Sequence, residues 1–307
     1  MAANPFLLRL GFASGDRVVI LHADDVGMCP ATVPAFAELI SAGAISSGSL
    51  MVPGPAFRQA AAFCRSHPQA DAGVHLTLNS EWETYRWGPL SPAPPAAGLR
   101  DGEGFFPRAR EAVGAAASPA AAASELAAQL DCALAAGIDV THLDAHMFSA
   151  LQPRLLPGYL ALARARRLPA LVWRPGPATP RLPEGEAMGE QAEAWREEGF
   201  PVADHVAFLP LGVSVDWPSD RPSDWLEARW AEARAIFDAL PAGLTHFLIH
   251  PACDEPELRA IARDWRARVA DYELFRGGRP GEYLRSCGVA VIGYRELRDA
   301  LRSAGGR

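Results

Sequence analysis

Aspartates and histidines fall at positions where a buried chain has no ordinary use for them. Asp24 and Asp25 stand side by side directly after the apolar run 18–23 (VVILHA). Within a strand, neighbouring side chains face opposite sides, but at a strand's end the chain turns and both can face the same space. Two adjacent carboxylates repel, so one of them benefits from a cation. A division of labour follows, with Asp25 on a metal ion and Asp24 free to take a proton from water. A turn or helix cap is the plain alternative, because Gly27 and Pro30 follow at once.

His75, in 73–78 (GVHLTL), and His146, closing 141–146 (THLDAH), offer imidazole nitrogens. Imidazole together with carboxylate suits zinc or a similar divalent ion, and three protein ligands leave a position for water. His142, Asp144 and His146 share one strand face by the period of two. Either His142 or Asp144 can then fix the tautomer of a ligating imidazole. His246 and His250 repeat the pattern in 245–250 (THFLIH), and only His250 reaches the strand's end. Arg174 ends the run 171–174; it can pair with Asp24 or anchor a substrate hydroxyl, and a plain structural ion pair explains an arginine equally well.

Residues so far apart in sequence meet only if their strand ends open on one mouth. Strand-like runs at 18–23, 48–52, 73–78, 141–146, 171–174, 206–211, 245–250 and 289–293 alternate with helical patterns at 32–42, 57–65, 120–136, 155–166, 186–198, 225–240 and 261–275. This alternation predicts an α/β fold: a (β/α) barrel of seven to eight strands, distorted or incompletely closed, in a single catalytic domain over 1–307. A doubly wound open sheet is the runner-up. In a βα barrel the C-terminal strand ends form the mouth where catalysis is found. One stretch breaks the rhythm, 79–118, rich in Pro, Gly and Ala and carrying Trp82, Tyr85, Trp87, Phe105 and Phe106. A long loop with that aromatic content reads as a lid or substrate wall.

Bulk properties narrow the class further. The 307 residues carry a net charge of -7, with 49% hydrophobic and 21% charged residues. An acidic chain of this kind is no nucleic-acid binder, since tracking phosphates needs concentrated Lys and Arg. Arg9 interrupts the only apolar start, so neither a signal-peptide core nor a membrane span is expected. The five cysteines include no CxxC pair, and Cys64, Cys132 and Cys287 read as reduced core thiols, which favours the cytoplasm. A homodimer is left open.

At these residues the sequence resembles the YdjC-like carbohydrate deacetylases. The matching blocks are LHADDVG (21–27), GVHLTL (73–78), HLDAH (142–146) and LIHPACD (248–254), with DWRARVADYELF (264–275) similar to the family's C-terminal helix. The resemblance implies a (β/α) barrel-like fold and hydrolysis of N-acetyl groups on sugars, with one divalent metal ion, Zn or Mg, held by an Asp and two His. Carried over by motif, Asp25, His75 and His146 are the ligands, Asp24 the base and His250 the acid. Two positions depart from the family pattern: Phe148 stands where a further His is common, and Ala252 where Gly is usual. They bear on the substrate more than on the reaction. An N-acetylated sugar is then the expected partner, with Trp82, Trp87 and Trp173 stacking on its ring and Glu81 and Glu83 meeting its polar groups. A sugar-binding paralogue without turnover and a hydrolase of non-sugar amides are the alternatives.

Overall fold

The computed structural model describes residues 4–92, 94–176, 185–211 and 222–303; the rest of 1–307, residue 93 of the 79–118 stretch included, lies outside the described residues. Among the described residues seven strands form one sheet: β1 (Arg17–Val26), β2 (Ser47–Leu50), β3 (Ala72–Leu76), β4 (Val140–Ala145), β5 (His205–Phe208), β6 (Gly243–Ile249) and β7 (Ala290–Val291). All pair in parallel along the path β4-β3-β2-β1-β6-β5. β6 follows one edge of β1 from Arg17 to Ala23, while β7 at Val18 and Val19 and β2 from His22 onward share the other edge.

The sheet does not close. No strand forms at 171–174, where the run of apolar residues predicts one. Instead Ala170 bridges Leu143 on one side and Trp173 bridges Ala203 on the other. Pro169 and Pro175 flank the segment, and a proline has no N–H to extend a ladder. The architecture is a distorted (β/α) barrel whose gap between β4 and β5 is spanned by single bridges rather than a ladder. The strand predicted at 289–293 shortens to Ala290–Val291.

Helices pack outside. Thr32–Ser41, Phe57–Ser66, Pro119–Ala135, Leu156–Arg166, Gly185–Glu197 and Pro222–Asp238 stand where the periodicity places them. The helix expected at 261–275 starts later, as Trp265–Arg276, and a short helix Pro256–Ile261 precedes it, the two separated where Ala262 takes an extended conformation. Pro5–Arg9, Arg279–Ser286 and Tyr294–Ser303 are helices that the sequence reading does not contain. The 79–118 stretch is not wholly irregular, since it holds the helix Arg110–Ala116 and buries Trp87, Leu99 and Phe106. No helix among the described residues is long and apolar enough to cross a membrane.

One apolar cluster extends from Phe6 to Leu301 between strands and helices. Every residue of β1 after Arg17 is buried, as expected for a parallel strand covered on both sides. The inside of the sheet is different. Barrel interiors are usually filled by branched aliphatic side chains; here His22 and Asp24 of β1, His75 of β3, His142 and Asp144 of β4 and His246 of β6 turn inward and are all buried.

Candidate active site

The site begins with the way β1 ends. Its register against β2 slips between Ala23 and Val26, and Asp25 takes a left-handed conformation with φ 60°. The slip cancels the alternation of faces, so Asp24 and Asp25 line the same cavity. Gly27, at φ 88°, completes the turn, with its N–H bonded to Thr32 Oγ1 at 2.9 Å.

Asp25 Oδ1 lies 2.9 Å from His146 Nδ1 and 3.3 Å from His75 Nε2. One ligand atom from each of the three residues lies within 4.8 Å of the others. The far nitrogen of each imidazole meets a carboxylate: His75 Nδ1 is 3.0 Å from Asp144 Oδ1, and His146 Nε2 is 2.9 Å from Glu81 Oε2. Such partners hold the outer N–H and leave the inner lone pair free for an ion. Ser49 Oγ donates to the other oxygen of Asp144 at 2.8 Å. The trio therefore fits a divalent ion, with Asp144 fixing one ligand and Glu81 the other. The ligand atoms of His22, His142 and Asp144 also lie within 4.8 Å of one another, but the two imidazoles there are turned on each other, Nε2 to Nε2 at 2.8 Å.

Charge follows this arrangement. Burial alone would raise the Asp25 pKa, yet His146 and Arg268 hold it well below the usual range. Arg268 Nη1 donates to Asp25 Oδ2 at 2.8 Å and its Nε to Asp264 Oδ1 at 3.0 Å. Burial opposes charging His75 and His146, but Asp144 and Asp24 lift the first well above its ordinary value, and Glu81 and Asp25 lift the second to about 9.

Asp24 uses its two oxygens differently. Oδ1 is 2.7 Å from His22 Nδ1, while Oδ2 faces His250 Nε2 across 4.0 Å. Burial raises the Asp24 pKa, but His75 and the His22 hydrogen bond outweigh it and the net shift is downward. His250 follows β6 directly, its backbone N–H bonded to Asp271 Oδ2 at 3.0 Å. Burial lowers its pKa, so its protonated form would give up a proton more readily than an ordinary imidazolium.

The remaining sequence candidates separate. His142 does not touch a candidate ligand; it lies deeper, against His22 and Thr141. Arg174 stays away from Asp24 and pairs with Glu193 at 3.2 Å and Asp204 at 3.4 Å, the structural role. Trp82 lines the cavity. Trp87 is buried with its indole N–H on Asn79 O at 2.7 Å, edge-on to His146, and Trp173 is buried against Phe148. Glu83 lies outside the cavity lining. Arg268, His22 and Ser49 are the residues the sequence reading passed over. Their signal was faint but present: a polar side chain on the inward face of a buried strand, or a basic one on the buried face of a helix.

The cavity holds about 280 Å³, and Trp82, Phe148, Phe208 and Leu248 give it apolar walls beside the carboxylates and imidazoles. The model of the family described as YdjC-like protein matches residues 18–286. A carbohydrate deacetylase of Thermus thermophilus is 37% identical over 271 residues, 87% of this chain and 88% of that protein. A carbohydrate deacetylase of Brevibacillus brevis is 34% identical over 151 residues, covering 49% of this chain and 57% of that protein. A solved structure from Enterococcus faecalis, described as a cellobiose-phosphate cleavage protein, has a TM-score of 0.71 at 21% identity and covers 92% of this chain and 99% of that one. At that identity the last likeness is one of fold.

Proposed function

The chain belongs to the YdjC-like family, and on that premise we propose that it is a metal-dependent hydrolase removing an N-acetyl group from an amino sugar. One observation carries the reading: the Asp24 carboxylate and the His250 imidazole face each other across 4.0 Å in the cavity that also holds Asp25, His75 and His146. A protein that only binds sugar needs neither a base nor an acid there. We also propose a single catalytic domain over 1–307, and a cytoplasmic one on the strength of five free cysteines.

Asp25, His75 and His146 would hold the ion, and a divalent metal in such a site polarises a carbonyl and lowers the pKa of water. Asp24 removes the proton of the attacking water through Oδ2, since Oδ1 is held by His22. His250 delivers a proton to the departing amine, which is otherwise a poor leaving group. Trp82 and the apolar wall exclude bulk water and pack against the sugar ring and the acetyl methyl. Glu81 keeps the outer nitrogen of His146 occupied.

The test is metal analysis joined to acetate release from a panel of N-acetylated sugars and N-acetylated non-sugar amides. The expected result is about one divalent ion per chain, as three protein ligands imply, Zn or Mg, and acetate from the sugars. Acetate from the non-sugar amides alone would move the substrate class. No acetate from a metal-loaded protein would overturn the reading.

A further inference from the structure

Behind Asp24 a row of polar side chains runs inward from the mouth. His22 Nε2 meets His142 Nε2 at 2.8 Å, His142 Nδ1 meets Thr141 Oγ1 at 2.9 Å, and Thr141 Oγ1 meets Asp71 Oδ1 at 2.5 Å. All four residues are buried. Asp71 ends the row just before β3, where Ser47 Oγ donates to Oδ1 at 3.0 Å and the Arg295 backbone N–H to Oδ2 at 2.7 Å. Beyond the bond from His22 to Asp24, none of this is used by the chemistry described above.

We propose that Asp71, Thr141, His142 and His22 form a directional hydrogen-bond chain that presents His22 Nδ1–H to Asp24 Oδ1, which makes Asp71 a remote positioning residue for the base. The proposal rests on the reading of Asp24 as base. A hydroxyl has one hydrogen, so Thr141 donates to Asp71 or to His142 but not to both; a neutral imidazole has one N–H and one lone pair. With both imidazoles neutral the chain has two self-consistent directions. In one, Asp71 is a carboxylic acid whose O–H points at Thr141. Thr141 then donates to His142 Nδ1, His142 Nε2–H donates to His22 Nε2, and His22 Nδ1–H ends on Asp24. In the other, every bond reverses and Asp24 Oδ1 must carry a hydrogen. A charged His22 adds a third, in which His22 donates from both nitrogens and Asp71 is a carboxylate receiving the Thr141 hydroxyl.

A base at Asp24 has no hydrogen on Oδ1, 2.7 Å from His22 Nδ1, which excludes the reverse direction, and burial at Asp71 favours its O–H form over the carboxylate of the third. Burial raises the Asp71 pKa and prevails over the Thr141, Arg295 and Ser47 hydrogen bonds that oppose it. Burial, with His22 beside it, holds His142 well below its ordinary value and so keeps it neutral. Asp144 Oδ2 is 3.7 Å from His22 Nε2, too far to compete with His142. Tyr294 stacks on His142 at 3.9 Å and fixes the plane of the ring. Gly73 leaves the space that ring occupies: a Cβ there would come within 2.4 Å of His142 Cε1. With Oδ1 fixed by His22, Oδ2 is the oxygen left to take a proton.

The experiment uses the full chain, metal-loaded and labelled with nitrogen-15 in histidine, and reads tautomers by NMR beside kcat and KM. His22 should carry its hydrogen on Nδ1 and His142 on Nε2. Thr141→Val, close in shape but without the hydroxyl, should disturb both imidazole signals and lower kcat about tenfold at unchanged KM, the low end for an outer partner of a functional group. Thr141→Ser and Asp71→Asn should restore the parent behaviour, the latter because an amide N–H donates as the carboxylic acid does. A His22 hydrogen on Nε2 in the parent protein, or a Thr141→Val variant with unchanged signals, would overturn the chain. Full activity in Asp24→Asn would overturn the base assignment alone, because the imidazole signals report the chain without turnover.

Discussion

Arg268 and Asp25 form a fully buried ion pair, Nη1 to Oδ2 at 2.8 Å, that ties the helix Trp265–Arg276 to the end of β1. The partners are 243 residues apart, and Asp264 shares the same guanidinium. Removing one partner of such a pair leaves a buried charge behind. Arg268→Met should therefore cost about 3–5 kcal/mol of stability. A divalent ion on Asp25 would offset part of that loss, so added metal should raise the melting temperature of the variant more than that of the parent. Thermal unfolding with and without metal checks both, and equal shifts would count against Asp25 as a ligand.

Proton and metal compete for the same imidazoles. With protein groups alone around it, the His146 pKa is about 9, lifted by Glu81 and Asp25 against burial; an unfolded histidine titrates near 6.5. Charged His146 thus stabilises metal-depleted protein fully below about pH 6.5, and that contribution is lost as pH rises through about 9. Metal binding must displace this proton, so affinity should climb between about pH 6.5 and 9 with proton release. Calorimetry in buffers of different ionisation heat measures the release. A flat affinity over that window would exclude His146 from the ligand set.

Asp24→Asn should keep metal and lose turnover by roughly a hundredfold or more, the scale of general-base removal. His250→Ala should lose turnover as well, and less so on substrates whose leaving group needs no proton. The comparison is of kcat on amide and activated-ester substrates in both variants. Unchanged kcat in Asp24→Asn would remove the base.

Two tryptophans of 79–118 should part company. Trp87 is 2% exposed and bonded through its indole, so Trp87→Ala should cost about 3–5 kcal/mol, as for other large buried aromatics. Trp82 lines the cavity with Arg268 5.9 Å from its ring centroid. Trp82→Ala should fold normally and alter the ranking of substrates. Denaturant titration and a panel of N-acetylated sugars separate the two; a stability loss at Trp82 with unchanged ranking would make it a packing residue as well.

The legible parts of this molecule are those with a short period. β1 and β6 are largely apolar runs, broken by His22 and by Thr245 and His246, and the polar residues that close them could be picked out against that background. Partnerships across the fold were not legible. Nothing in the spacing tells which carboxylate meets Arg174, and it meets Glu193 and Asp204, while the cation on Asp25 comes from residue 268. The segment at 171–174 has strand composition without strand geometry, because its flanking prolines act on backbone donors that side-chain pattern ignores. The helix Tyr294–Ser303 buries Leu297 and Leu301 one turn apart, a helical signal that the reading left unused after the strand at 289–293.

The left-handed backbone at Asp25 has a consequence for sequence drift. Asp and Asn enter that conformation far more readily than other residues with a side chain, and Gly enters it freely. A descendant that lost the reaction would still favour Asp, Asn or Gly at position 25, because the turn that ends β1 admits them at least cost, although Met147, Phe148 and Arg167 hold positive φ elsewhere in this chain. Retention of Asp25 alone is thus weak testimony to a working enzyme. Position 24 has no such backbone constraint, so its identity records the chemistry more faithfully than its neighbour's does.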